Sequence, residues 1–197
     1  MKQKKLLKHI LFGLGILTGG SMIGLDSVSA DTLKDKNGNP VQYGKSYYLE
    51  ASAYDYNSNG ISQRKGINYS SWNLGDWVYL NQSGQGQTIK IQPAAPLTTD
   101  RDGQNINENT IIAIQMEMTN PKFSYLSINK SYNGIQLSDF SLLSSVWIAQ
   151  NVSNSDSVTI KNNDTKKYMH FKFPNDWLDA TESEPSLKAK WQLVPKN

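Results

Sequence analysis

Thr32-Leu33-Lys34, Thr88-Ile89-Lys90 and Thr159-Ile160-Lys161 are three copies of one triplet. A Tyr–Leu/Met pair also recurs, as Tyr48-Leu49, Tyr125-Leu126 and Tyr168-Met169, and tryptophans head apolar runs at Trp77, Trp147 and Trp191. From each tyrosine to its tryptophan the separations are 29, 22 and 23 residues. Self-similarity at a fixed spacing is the signature of a repeated supersecondary unit. Three such units without helical periodicity predict an all-β fold, a β-trefoil. In that fold six strands form a pseudo-threefold closed barrel and three hairpins cap one end. Closure removes the sheet edges on which soluble β-proteins aggregate.

The runs between these landmarks support that reading. Tyr47–Ala51, Trp77–Leu80, Thr88–Ile91, Thr110–Met116, Phe123–Ile128, Val146–Ala149, Val158–Ile160, Tyr168–Phe173 and Trp191–Val194 are short, β-branched or aromatic, and bounded by turn formers. Asn37-Gly38, Asn59-Gly60 and Asn133-Gly134 are hairpin signals, because both residue types accept positive φ. No segment keeps apolar residues at helical spacing over two turns.

Residues 1–30 read as a signal peptide ahead of a single domain spanning 31–197. Lys2, Lys4, Lys5 and Lys8 form a basic start, Leu11 to Ile23 a glycine-interrupted apolar core, and Val28-Ser29-Ala30 a small-residue cleavage site. The apolar core is too short for a membrane span, so the chain is expected to be secreted. That segment holds four of the 20 basic and one of the 17 acidic residues, leaving sixteen of each and no net charge. A nucleic-acid partner requires a clustered basic surface, and none is present. The absence of cysteine excludes disulfides and thiol chemistry.

The repeat breaks its spacing once. Thr88 to Tyr125 spans 37 residues, whereas Thr159 to Tyr168 spans nine. The added length begins at Gln92 with Pro93-Ala94-Ala95-Pro96-Leu97-Thr98-Thr99-Asp100, then a polar, Asn-rich stretch. Long insertions on compact scaffolds either carry function or are tolerated.

Residues Leu33-Lys34-Asp35-Lys36-Asn37-Gly38-Asn39-Pro40-Val41, followed after five residues by Tyr47-Tyr48-Leu49, carry a second signal. This stretch resembles the N-terminal signature of the Kunitz-type soybean trypsin inhibitor family, at Leu33, Asp35, Asn37, Gly38, Asn39, Val41, Tyr47 and Leu49. The resemblance implies a β-trefoil of about this length and a convex loop after the fourth strand, presented to an extracellular serine protease. Carried onto this chain, the loop comprises Pro93, Ala94, Ala95, Pro96, Leu97, Thr98 and Thr99. Leu97 would enter the specificity pocket, and its aliphatic side chain suits chymotrypsin-, elastase- or subtilisin-like enzymes. The asparagine that supports the loop in the family corresponds to Tyr43 here. Arg64-Lys65 and Arg101 are alternative exposed basic sites.

Read without the resemblance, the signature is a turn. Asp35 and Asn39 close an Asx-type turn, Gly38 takes positive φ, and Val41 and Tyr47 face the core.

Catalysis is not expected. His170 is the single histidine after residue 30, and neither a nucleophile elbow nor a metal motif occurs. No cofactor and no metal site are called for, and the expected state is a monomer. A carbohydrate-binding (lectin-like) or toxin-associated β-trefoil module at a cell surface is the rival reading. The repeated tryptophans lack the Gln-x-Trp context of ricin-type trefoil lectins and read as core. Tyr54, Tyr56, Tyr69, Trp72 and Tyr132 remain as residues able to stack on sugars.

Overall fold

The computed structural model describes residues 31–54, 63–95, 97–118 and 123–197. The expected signal peptide, Tyr56, the Asn59-Gly60 turn and Pro96 lie outside them. The described residues contain twelve strands and no α-helix. The strands are β1 (Ser46–Ala51), β2 (Ile67–Trp72), β3 (Gly75–Leu80), β4 (Thr88–Pro93), β5 (Ile111–Met116) and β6 (Tyr125–Asn129). They continue as β7 (Gly134–Ser138), β8 (Val146–Asn151), β9 (Val158–Asn162), β10 (Tyr168–His170), β11 (Asp179–Glu182) and β12 (Lys190–Pro195). All strand pairings are antiparallel.

Six strands pair in a cycle: β1 with β4, β4 with β5, β5 with β8, β8 with β9, β9 with β12, and β12 with β1. The other six form three hairpins, β2–β3, β6–β7 and β10–β11. These join one another where β7 meets both β3 and β11, and where Tyr79 bridges Trp177. Because β1 and β4 run antiparallel, the β2–β3 hairpin leaves from one end of the cycle. The loop after β4 therefore leaves from the other end.

The threefold relation is visible in the pairing register, and it corrects the sequence repeat. In β12, Trp191 pairs with Val158 and Ala51; in β8, Trp147 pairs with Ile112 and Asn162. In β4 the residue with the same pair of relations is Ile89, opposite Tyr47 and Met116. The expected third tryptophan, Trp77, instead lies in hairpin strand β3. Tyr48-Leu49 lies in β1, while Tyr125-Leu126 and Tyr168-Met169 lie in β6 and β10. Two units thus repeat in register and the first is displaced by a strand. An isoleucine fills the tryptophan position there, which left the sequence comparison no aromatic landmark in β4.

The indoles support this assignment. Trp147 Nε1 donates to the Leu126 carbonyl at 2.8 Å, and Trp191 Nε1 to the Met169 carbonyl at 3.0 Å. Both carbonyls belong to the second residue of the Tyr–Leu/Met pair, and both tryptophans are fully buried. Trp77 donates instead to Trp72, within its own hairpin, at 3.0 Å. The remaining core is built by the inward faces of the cycle, including Leu49, Ile91, Ile114, Ile160 and Leu193.

Three strands escaped the sequence reading. β2 carries Asn68, Ser70 and Ser71 and is buried only at its first residue. β7 begins at a glycine that reads as a turn, and β11 reads Asp-Ala-Thr-Glu. Hairpin strands covered on one side lack the continuous apolar run that marks a buried strand.

A buried carbonyl left without its donor costs about 1–3 kcal/mol. Trp147→Phe and Trp191→Phe should each lower urea-denaturation stability by that amount. Trp77→Phe should cost less, because its acceptor belongs to exposed Trp72 at the end of β2.

Candidate functional site

The signature turn and the long loop are one assembly. Asp35 is buried, and its Oδ1 accepts the N–H groups of Asn37 (2.8 Å) and Asn39 (2.9 Å). Gly38, at φ +80°, donates to the Asp35 carbonyl at 3.0 Å. Leu33, Val41, Tyr47 and Leu49 are buried in the core. The Tyr47 hydroxyl accepts the Gln42 N–H at 3.0 Å. Burial raises its pKa above the ordinary phenol value, against that hydrogen bond.

From this turn, residues 41–44 run past both ends of the loop. At the entry, Gly44 N–H donates to the Ile91 carbonyl at 3.0 Å. At the exit, Tyr43 N–H donates to the Gln104 carbonyl at 3.0 Å, and Gly103 N–H to the Tyr43 carbonyl at 2.9 Å. Ile106 N–H then donates to Val41, and Leu33 N–H to Ile106. Tyr43 buries its ring in the core and braces the loop with its main chain. Within the loop, Asp100 N–H meets Thr98 Oγ1, Asp102 N–H the Thr99 carbonyl, and Gln104 N–H the Arg101 carbonyl.

The expected loop, Pro93–Thr99, is narrower in space than in sequence. Pro93 is the last residue of β4, opposite Ile112, and Ala94 is buried against Ala113 and Val146. Ala95 is exposed, Leu97 is 39% exposed, Thr98 is half-buried and Thr99 is exposed. The strand runs two residues further than its apolar pattern because Gln92 and Pro93 are themselves buried.

Of the two alternative basic sites, Arg64-Lys65 is engaged in contacts within the fold and Arg101 is exposed. Arg64 grips buried Glu50 through two hydrogen bonds, Nε to Oε2 at 2.8 Å and Nη2 to Oε1 at 2.6 Å. Lys65 donates to the Gln82 carbonyl and lies 4.9 Å from the Tyr54 ring centroid. Arg101 sits exposed in the turn at the loop's far side. Of the surface aromatics, Tyr54 packs on Phe171 and Tyr69 against the core, whereas Trp72 and Tyr132 are exposed. Trp177, absent from the repeat, joins them on the hairpin cap.

His170 is a buried partner of Asp179. Its Nε2 lies 2.8 Å from Asp179 Oδ1 and 3.7 Å from Glu182 Oε1, and Lys172 Nζ lies 3.0 Å from Asp179 Oδ2. Burial disfavours charge on His170, but Asp179, Glu182 and the Tyr168 carbonyl outweigh it and raise its pKa. Burial likewise opposes the Asp179 carboxylate, while His170 and Lys172 lower its pKa below the ordinary value. Among the described residues no group of three or more His, Asp or Glu is placed to hold a metal ion.

No protein-family model matches the chain, and no curated protein matches it. Solved structures do. A type II water-soluble chlorophyll-binding protein is 14% identical, with a TM-score of 0.66 over 85% of this chain and 99% of that one. The bifunctional α-amylase/subtilisin inhibitor of rice, Oryza sativa, is 12% identical, with a TM-score of 0.61 over 84% and 100%. The bifunctional Kunitz-type trypsin/amylase inhibitor from Alocasia macrorrhiza tubers is 10% identical, with a TM-score of 0.57 over 85% and 97%. The chain shares its fold with Kunitz-type inhibitors. At these identities the likeness is one of fold, and it agrees with the signature at Leu33–Leu49.

The His170–Asp179 pair has a defined pH signature. A raised histidine pKa stabilises the fold fully below the unfolded value of 6.5, and this is lost as pH rises through the folded value. The lowered Asp179 pKa stabilises above its unfolded value of 3.8 and is lost only as pH falls through the folded value. The thermal midpoint should therefore decline as pH rises above about 6.5. His170→Gln should flatten that decline in a calorimetric series.

Proposed function

We propose that this chain is an exported inhibitor of an extracellular serine protease, acting as a monomer and by binding, not by catalysis. The inhibitory segment is loop 93–99, with Leu97 as the residue that fills the protease's specificity pocket. The observation that carries this reading is the braced base of the loop: residues 41–44 hold both its ends through main-chain hydrogen bonds. A segment fixed at both ends loses little conformational entropy on docking, which favours tight, substrate-like binding. The fold shared with inhibitors of subtilisin and trypsin supports it, as does the exposed aliphatic side chain of Leu97. The cyclic pairing of six strands supports reading the scaffold as a closed trefoil barrel with a hairpin cap. The basic, apolar and small-residue succession of residues 1–30 supports secretion.

Residues 31–197 are mixed with subtilisin-, chymotrypsin-, elastase- and trypsin-type enzymes. Inhibition of at least one of the first three is expected, with trypsin unaffected. Leu97→Gly should weaken it by about thirtyfold, the loss expected for an anchor residue worth about 2 kcal/mol. Undiminished activity of all four enzymes at large molar excess would remove the inhibitor reading. Equal inhibition by Leu97→Gly would remove that residue's role.

A further inference from the structure

The three hairpins converge on a hollow of about 200 Å³ that the inhibitory loop does not use. The β2–β3 hairpin supplies Trp72 and Trp77, the β6–β7 turn Tyr132, and the segment ahead of β11 Trp177. The rings hold one another edge to face. Trp72 and Trp77 centroids lie 5.8 Å apart at 70°, Trp72 and Tyr132 6.0 Å at 79°, and Trp77 and Tyr132 5.6 Å at 81°. Trp177 stands 6.4 Å from Trp77. Trp77 is only 5% exposed and forms the floor, while Trp72 and Tyr132 are 50% and 58% exposed at the rim. The packing depends on a glycine: a Cβ on Gly134 would lie 2.7 Å from Trp77 Cζ3. Lys172 and Asp176 complete the rim.

This arrangement selects its ligand by chemistry. A cation cage needs rings standing apart around an empty centre. Here the rings touch, and the Lys172 ammonium already lies at the rim, 3.0 Å from Asp179. The hollow is also smaller than the roughly 300 Å³ at which pockets for drug-sized ligands begin. It offers half-exposed indole and phenol surfaces beside the Asp176 carboxylate and the Lys172 ammonium, with Asp179, already paired to His170 and Lys172, behind them. A pyranose ring carries the matching groups: a face of C–H bonds for an aromatic ring, and hydroxyls at its edge that both donate and accept. We infer that the hairpin cap binds a neutral pyranose unit of a glycan. Trp72 and Tyr132 stack on the sugar, and Asp176 and Lys172 fix its hydroxyls. Exposed aromatic surface of this extent, held rigid by its neighbours, serves binding and not packing.

The five tryptophans make the test internal. Residues 31–197, labelled with ¹⁵N, are titrated with the methyl glycosides of glucose, galactose, mannose and N-acetylglucosamine, and the indole N–H resonances are followed. At least one glycoside should shift Trp72, Trp77 and Trp177 while leaving buried Trp147 and Trp191 unmoved. Trp72→Ala and Tyr132→Ala should each weaken binding by about tenfold, the scale of one lost stacking contact. Unchanged Trp147 and Trp191 resonances confirm that each variant is folded. Should either variant unfold, Asp176→Asn carries the same test. Leu97→Gly should leave the titration unaltered, which separates this site from the inhibitory one. The inference is overturned if no glycoside moves the three cap indoles. It is equally overturned if folded Trp72→Ala, Tyr132→Ala and Asp176→Asn bind as the parent does.

Discussion

The ladder between β1 and β12 is the contact on which the rest of the molecule depends. It joins the first and last strands over five residue pairs, from Tyr47 opposite Pro195 to Ala51 opposite Trp191. Lys196 N–H to the Ser46 carbonyl extends it by one step beyond Pro195, and Lys36 N–H donates to the Leu193 carbonyl within it. Without cysteine, nothing covalent holds these ends together. The ladder forms only when some 140 residues of intervening chain have already been ordered, an entropic demand that grows slowly with loop length. Once formed, it completes the cycle of six strands and seats Trp191 on the Met169 carbonyl. A fold so dominated by non-local pairing is expected to fold slowly and as one cooperative unit.

The sequence disclosed the strands of the cycle more readily than those of the hairpins. β1, β4, β5, β8, β9 and β12 are buried on their inward face along most of their length, so their apolar residues stand out. β2, β7 and β11 have polar or glycine-led sequences, and their partners, not their composition, make them strands. The threefold count illustrates how a repeat can mislead. Trp147 and Trp191 share a register and a hydrogen bond, but Trp77 entered the count by spacing alone. Its structural counterpart in β4, Ile89, is visible only in the pairing.

The loop and the cap were unequally legible as well. The insertion after Ile91 stood out by length and by its prolines, yet the bracing by residues 41–44 cannot be read from sequence. It consists of main-chain groups, and main-chain groups carry no residue signature. The cap hollow was half visible: Trp72 and Tyr132 read as surface aromatics. Trp177 was hidden in a turn-rich segment with no periodic pattern, and the edge-to-face packing of the rings needs three separate hairpins to converge.

Antiparallel order places the loop after β4 and the hairpin cap at opposite ends of the strand cycle. A partner held at one end therefore does not shade the other. Should both ends engage ligands on the same surface or particle, the second contact becomes intramolecular, and its effective concentration is set by the rigid span between the poles. The molecule is then a fixed-length coupler, in which a weak grip at the cap would hold a stronger grip at the loop near its target.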